Sequence, residues 1–107
     1  MAASTDDFVR EYQRAEQAYM DGNYEEAAAI VDVLIQHAPD DPSTCLLRGH
    51  IYCGLQDYQV ARSQYQQVLS ITTEPEFLEY AESGIAYVDQ FEPFDDSFNG
   101  QLNGNGS

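Results

Sequence analysis

The chain contains no lysine and no tryptophan, and its whole positive charge rests on four arginines, Arg10, Arg14, Arg48 and Arg62. Against these stand 19 acidic residues, giving a formal charge of -15 over 107 residues. A field of that sign repels nucleic-acid phosphates and anionic lipid headgroups and steers basic surfaces inward. Polyanions are thereby set aside as partners, and a protein or peptide segment of basic character is expected. Long apolar runs are also missing. Nothing approaches the roughly 18 consecutive apolar residues of a membrane span, and the opening MAASTDD has neither the basic nor the apolar region of a secretion signal. The expectation is a cytoplasmic segment that does not itself insert into a membrane, with any inner-membrane tether lying in a longer native chain. Cysteine is scarce, with Cys45 and Cys53 alone. Eight residues apart on one expected helix, they stand about 12 Å apart along its axis, beyond the roughly 7 Å Cα reach of a disulfide. Reduced thiols in a reducing compartment follow.

The usual carriers of chemistry are thin as well. His37 and His50 belong to different expected helices, and neither H-x-x-x-H nor C-x-x-C spacing occurs. The acidic pairs Asp40-Asp41 and Asp95-Asp96 lack the alternating oxygens of a calcium loop. No glycine-rich phosphate cradle follows a strand, because no strand pattern exists. Cys45 and Cys53 read as small core residues. The expectation is a protein that is not an enzyme, with no catalytic residue, no cofactor and no metal site.

What the sequence has in abundance is helical periodicity. Ser4-x-x-Asp7 offers a capping hydroxyl and first-turn carboxylates to a helix with Phe8, Tyr12, Ala15 and Tyr19 on one face. Asp21-Gly22-Asn23 is turn chemistry. A second stripe, Tyr24, Ala27, Ala28, Val31, Leu34 and Ile35, stops at Ala38-Pro39-Asp40-Asp41-Pro42. A third helix, about residues 43–54, is apolar nearly all round apart from Arg48 and His50, which predicts enclosure by its neighbours. A fourth carries Tyr58, Ala61, Tyr65, Val68 and Leu69 and ends near Thr72-Thr73-Glu74-Pro75. The fifth, about residues 76–90, sets Phe77, Leu78, Tyr80, Ala81, Ile85, Tyr87, Val88 and Phe91 on one half and Glu76, Glu79, Glu82, Ser83, Asp89 and Gln90 on the other. That apolar arc exceeds a single packing stripe. Either the helix closes an array and touches two predecessors, or the tail, a second copy or more of a longer chain covers part of it.

Residues 1–7 thus form a lead-in, 8–91 a helical domain and 92–107 an acidic-aromatic flexible tail. In that tail periodicity gives way to glycine and asparagine. Phe91, Phe94 and Phe98 recur at steps of three and four among Glu92, Asp95 and Asp96. They are expected either to pack on the closing helix or to form a docking segment.

The helices repeat. Shifted by 34 residues, Tyr24 falls on Tyr58, Ala27 on Ala61, Val31 on Tyr65, Leu34 on Val68, Arg14 on Arg48 and Ala15 on Gly49. Helix, short turn, helix and proline-bearing break at this period resemble tetratricopeptide repeats. The resemblance covers about residues 8–90 as two units plus a closing helix, and it implies an all-α fold of antiparallel helix pairs stacked as a short superhelix. Departures from the family pattern are Glu11 and Cys45 at positions often large and apolar, Ala18 where tyrosine is common, and Gln56 in place of glycine. A narrower likeness lies in LLRGHIYCGLQDYQVARSQYQQVL and EPEFLEYAESGIAYVDQ. It resembles the amino-terminal cytoplasmic region of cyanobacterial methyl-accepting chemotaxis receptors of type IV pilus motility and phototaxis, which implies an interaction module in signal transduction.

The repeat resemblance implies a concave groove lined by the first helix of each pair, with Tyr12, Glu16, Tyr19 and Met20 from the first unit and Leu46, His50 and Cys53 from the second. Such a groove lacks the lysine and arginine that hold a carboxylate-ended peptide. Its aromatic, thioether and acidic groups favour an apolar segment bearing positive charge. Leu46 and Cys53 fit a plain core role equally well. A rival expectation is a homodimer or other assembly that uses Phe77, Tyr80, Tyr87 and Phe91 of the closing helix, the same face on which the tail with Phe94 and Phe98 could dock.

Overall fold

Helix boundaries fall where the sequence supplies caps and breakers. In the computed structural model, which describes residues 5–91, five α-helices follow one another: α1 Thr5–Met20, α2 Tyr24–His37, α3 Pro42–Gly54, α4 Tyr58–Ile71 and α5 Pro75–Asp89. Ser4, the expected first cap, lies outside the described residues. Pro42 and Pro75 each occupy the first turn, where a missing N–H costs nothing and the fixed φ is already helical. That is why α3 and α5 start one residue earlier than the apolar pattern predicts. Asp41 caps α3, its carboxylate accepting from the Thr44 N–H at 3.1 Å. Asp57 does the same for α4 through the Val60 N–H at 3.4 Å.

The two units close their first helices with the same motif. At the end of α1 the Asn23 N–H bonds the Ala18 carbonyl and the Gly22 N–H bonds that of Tyr19. At the end of α3 the Asp57 N–H bonds the Tyr52 carbonyl and the Gln56 N–H bonds that of Cys53. Both are Schellman closures, which need a left-handed residue: Gly22 has φ 82° and Gln56 has φ 63°. Gln56, which departs from the repeat pattern in sequence, therefore keeps the conformation of the glycine it replaces. Such short turns fold consecutive helices back antiparallel.

Packing follows the order of the chain. Each helix contacts the next, and α3 also reaches α1 and α5. One apolar cluster joins Ala15, Ala18, Ala27, Ala28, Val31, Leu47 and Ile51, and a second joins Cys45, Leu46, Ala61, Tyr65, Val68, Ala81 and Val88. Because α3 supplies both, it is the enclosed helix that its apolar circumference predicts. Its two polar interruptions are accommodated. Arg48 donates to Asp32 at 2.8 Å, beside the Tyr52 hydroxyl on the same carboxylate, and ties α3 to α2. His50 is taken up below. The fold is an all-α helical repeat whose core runs along the stack rather than forming one central ball.

The wide arc of α5 divides in two. Ala81, Gly84 and Val88 are buried against the preceding helices, and Arg62 pairs with Asp89 across the α4–α5 contact. Ser83 stands 34 residues beyond Gly49, where the first helix of a pair meets its second, yet Ser83 is exposed, as are Glu76, Glu79, Glu82 and Ala86. The outer side of α5 is thus polar, as suits a helix that closes a stack. Among the described residues no helix is long and apolar enough to cross a membrane.

Candidate partner-binding groove

The helical period decides which side chains share a face: residues at i, i+4 and i+7 project together. On α1 this groups Tyr12, Glu16 and Tyr19; 34 residues on, it groups Leu46, His50 and Cys53 on α3, and a further 34 on, Tyr80, Gly84 and Tyr87 on α5. The three sets line one groove. One end is a cavity of about 330 Å³ bounded by Tyr12, Glu16, Tyr19, Met20, Leu46, His50, Phe77 and Tyr80. The other, about 370 Å³, is bounded by Tyr19, Tyr24, His50, Cys53, Tyr65, Tyr80, Gly84 and Tyr87. Tyr19, His50 and Tyr80 belong to both, so the hollows adjoin.

All seven residues expected in the groove are brought there. Leu46 and Cys53 take both roles: Leu46 is buried in the second cluster while touching the cavity, and Cys53 is half-buried against that cluster and lines the other end. Met20 stands at the rim, 75% exposed. The surface assigned in sequence to assembly is placed differently. Phe77, Tyr80 and Tyr87 do not form a separate face but complete the same groove, because α5 occupies the place of a third first-helix. Phe91 lies at its end, stacked on Tyr58 at 4.6 Å between ring centroids and edge-on to Tyr87 at 5.0 Å. Phe94 and Phe98 lie outside the described residues.

Sequence reasoning missed the residue that joins the two layers. Tyr65 of α4 is buried in the core, yet its ring passes between Gly49 of α3 and Gly84 of α5. A Cβ at Gly49 would sit 2.7 Å from that ring and one at Gly84 2.5 Å from it. Two glycines thereby open a slot through which the hydroxyl reaches the groove. There it meets the Nδ1 of His50 at 2.7 Å and the Sγ of Cys53 at 3.5 Å. The one signal in sequence was the exchange of Val31 for Tyr65 at equivalent places.

Electrostatics settle the protonation of this cluster. Burial lowers the pKa of His50 below the ordinary imidazole value. Burial, and then the neighbouring thiol, raises that of Tyr65, which keeps its proton. The Tyr65 hydroxyl has one proton to share between the His50 Nδ1 and the Cys53 Sγ, and the tautomer of the neutral imidazole decides which of the two it meets as donor. Burial also raises the Cys53 thiol, more than the Tyr65 hydroxyl lowers it. At the other end the Tyr12 hydroxyl donates to the Ser43 carbonyl at 3.2 Å, and burial, with the Glu16 and Asp41 charges, pushes its pKa up to about 12. The groove therefore offers neutral donors, aromatic faces and the carboxylate of Glu16.

Among the described residues no arginine competes there. Arg10 pairs with Asp7, Arg14 with Glu11, Arg48 with Asp32 and Arg62 with Asp89, and none of the four lines either cavity. Among the described residues no cluster of three or more histidine, cysteine or acidic side chains is placed to hold a metal ion. Comparison with protein-family models, with curated proteins and with solved structures finds no match.

Proposed function

We propose that this chain is a protein-interaction module of the tetratricopeptide type, whose groove holds an apolar partner segment carrying positive charge. One observation carries the reading: the aromatic inner face formed by α1, α3 and α5 has no positive group of its own, while every arginine is engaged with a carboxylate elsewhere. Apolar side chains of a partner gain by leaving water in such a hollow, and the charge of -15 draws basic sequences toward it. Like charge on a second copy opposes the rival homodimer, which would have to use this same groove.

The test is selection from a random peptide library displayed on phage. Peptides retained by the native chain should combine aliphatic residues with lysine or arginine and be lost on the Tyr19→Ala, Tyr80→Ala double variant. Enrichment of acidic peptides, or enrichment that the double variant leaves intact, overturns the reading.

The likeness to amino-terminal regions of motility receptors supports a place in cytoplasmic signal transduction for pilus-driven movement. Cells carrying the same double substitution should then lose directional movement toward light. Unaltered phototaxis removes the receptor context and leaves the groove standing.

A further inference from the structure

The two ends of the groove differ in what they can recognise. At the Cys53 end the Tyr65 hydroxyl is engaged with His50 and Cys53, and among the described residues no carboxylate lines the hollow. The other end is walled by Tyr12 and Tyr19 from α1 and by Phe77 and Tyr80 from α5, with the Glu16 carboxylate among them. Aromatic faces carry negative quadrupoles and attract cations, most strongly where water is displaced. Tyr12 is held in place by its bond to the Ser43 carbonyl. Tyr80 is 60% exposed and Glu16 is exposed, so both are open to an incoming group. His50, the one basic group at this end, is held neutral by burial and does not repel a cation.

We propose that this end of the groove is an aromatic cage for an alkylammonium group, the side chain of a partner lysine with or without N-methylation. The proposal rests on the groove reading above and names the anchor that reading leaves open. The aliphatic stem of lysine fits against Met20, Leu46 and Phe77, and the ammonium against the rings of Tyr19 and Tyr80 beside Glu16. A volume of about 330 Å³ accommodates that group and its methylated forms. A carboxylate-ended ligand, by contrast, meets a carboxylate and three tyrosine faces.

Three probes separate the possibilities: N-acetyl-lysine amide, its Nε-trimethyl derivative and N-acetyl-norleucine amide, each titrated into the full chain and followed by NMR at the Met20 methyl and the Glu16 and Tyr80 amides. Both cations should bind roughly fivefold or more tighter than norleucine, the difference expected of a cation over aromatic faces. Glu16→Gln and Tyr80→Leu, at exposed positions that leave the core intact, should erase that preference while keeping the helical circular dichroism of the native chain. Equal binding of lysine and norleucine overturns the cage but leaves the apolar groove. Loss of binding on trimethylation also overturns it, since that marks an N–H pair with Glu16 alone. If no probe shifts any of these signals, cage and groove reading fall together.

Discussion

Gln56 shows how a single residue can hold a strained shape because its surroundings require it. It takes the left-handed conformation that Gly22 takes in the first unit. For a residue with a side chain this costs about 1–2 kcal/mol, whereas glycine loses about 0.4–1 kcal/mol more chain entropy on folding. Gln56→Gly should therefore stabilise the chain by about 0.5–1 kcal/mol, the remainder of those two effects, read as a higher urea midpoint. A lower midpoint would show that the glutamine is not strained. Gly84 works in the opposite direction. Its missing Cβ makes room for Tyr65, so Gly84→Ala should cost about 1–3 kcal/mol by overpacking. Trimming the ring with Tyr65→Leu should relieve that clash, giving a double-mutant cycle far from additive; additive costs would mean the ring and the glycine do not meet. His50 contributes a pH dependence. Its folded pKa lies below the ordinary 6.5 because it is buried among Tyr19, Tyr65 and Cys53 and shares a cavity with Glu16. The unfolded chain then binds the proton more readily, so the stability from neutral His50 is complete above about pH 6.5 and is lost as pH falls through the lowered value. Unfolding curves should fall more steeply on acidification for the native chain than for His50→Gln. Parallel curves would show that the ring titrates alike folded and unfolded.

Among the elements, α5 has the most to explain, since it closes the core and completes the groove together. Ala81, Gly84 and Val88 cover one side of Tyr65 and its cluster, while Tyr80 and Tyr87 face the hollow. Its outer side presents Glu76, Glu79 and Glu82 to solvent. A chain ending at Thr73 would uncover one face of Tyr65 together with Val68. Exposing half a tyrosine and a valine costs roughly 3–5 kcal/mol, a large share of the 5–15 kcal/mol that holds a domain of this size. The truncated chain should bind an apolar dye and melt without a sharp transition. A cooperative melt with native midpoint would mean that α1–α4 carry their own core.

At the scale of the whole molecule the charge dominates. With 19 acids against four arginines, self-repulsion opposes both compaction and self-association. Raising the salt shortens the screening length from about 30 Å at 0.01 M to about 8 Å at 0.15 M. The thermal midpoint should rise over that range while sedimentation shows a monomer throughout. A midpoint that falls with salt, or a dimer at low salt, would show that attraction rather than repulsion governs the surface.

The sequence by itself determined the helices and their stacking order. Period, caps at Asp41 and Asp57 and breaks at Pro42 and Pro75 are local, and a 34-residue echo implies equivalent neighbours. Helical spacing also grouped Tyr12, Glu16 and Tyr19 on one side of α1 and His50 and Cys53 on one side of α3, and the repeat resemblance implied that the two sides face one groove. What only the tertiary structure decided is how distant helices meet. That α5 brings Tyr80 and Tyr87 to the groove of α1 and α3, rather than to a surface of its own, depends on its angle of packing against α3 and α4. The passage of Tyr65 between Gly49 and Gly84 depends on two absent side chains 35 residues apart. A helical wheel assigns each residue to a side of its own helix; whether a tyrosine there fills a core or reaches through it depends on what the neighbouring helices leave empty.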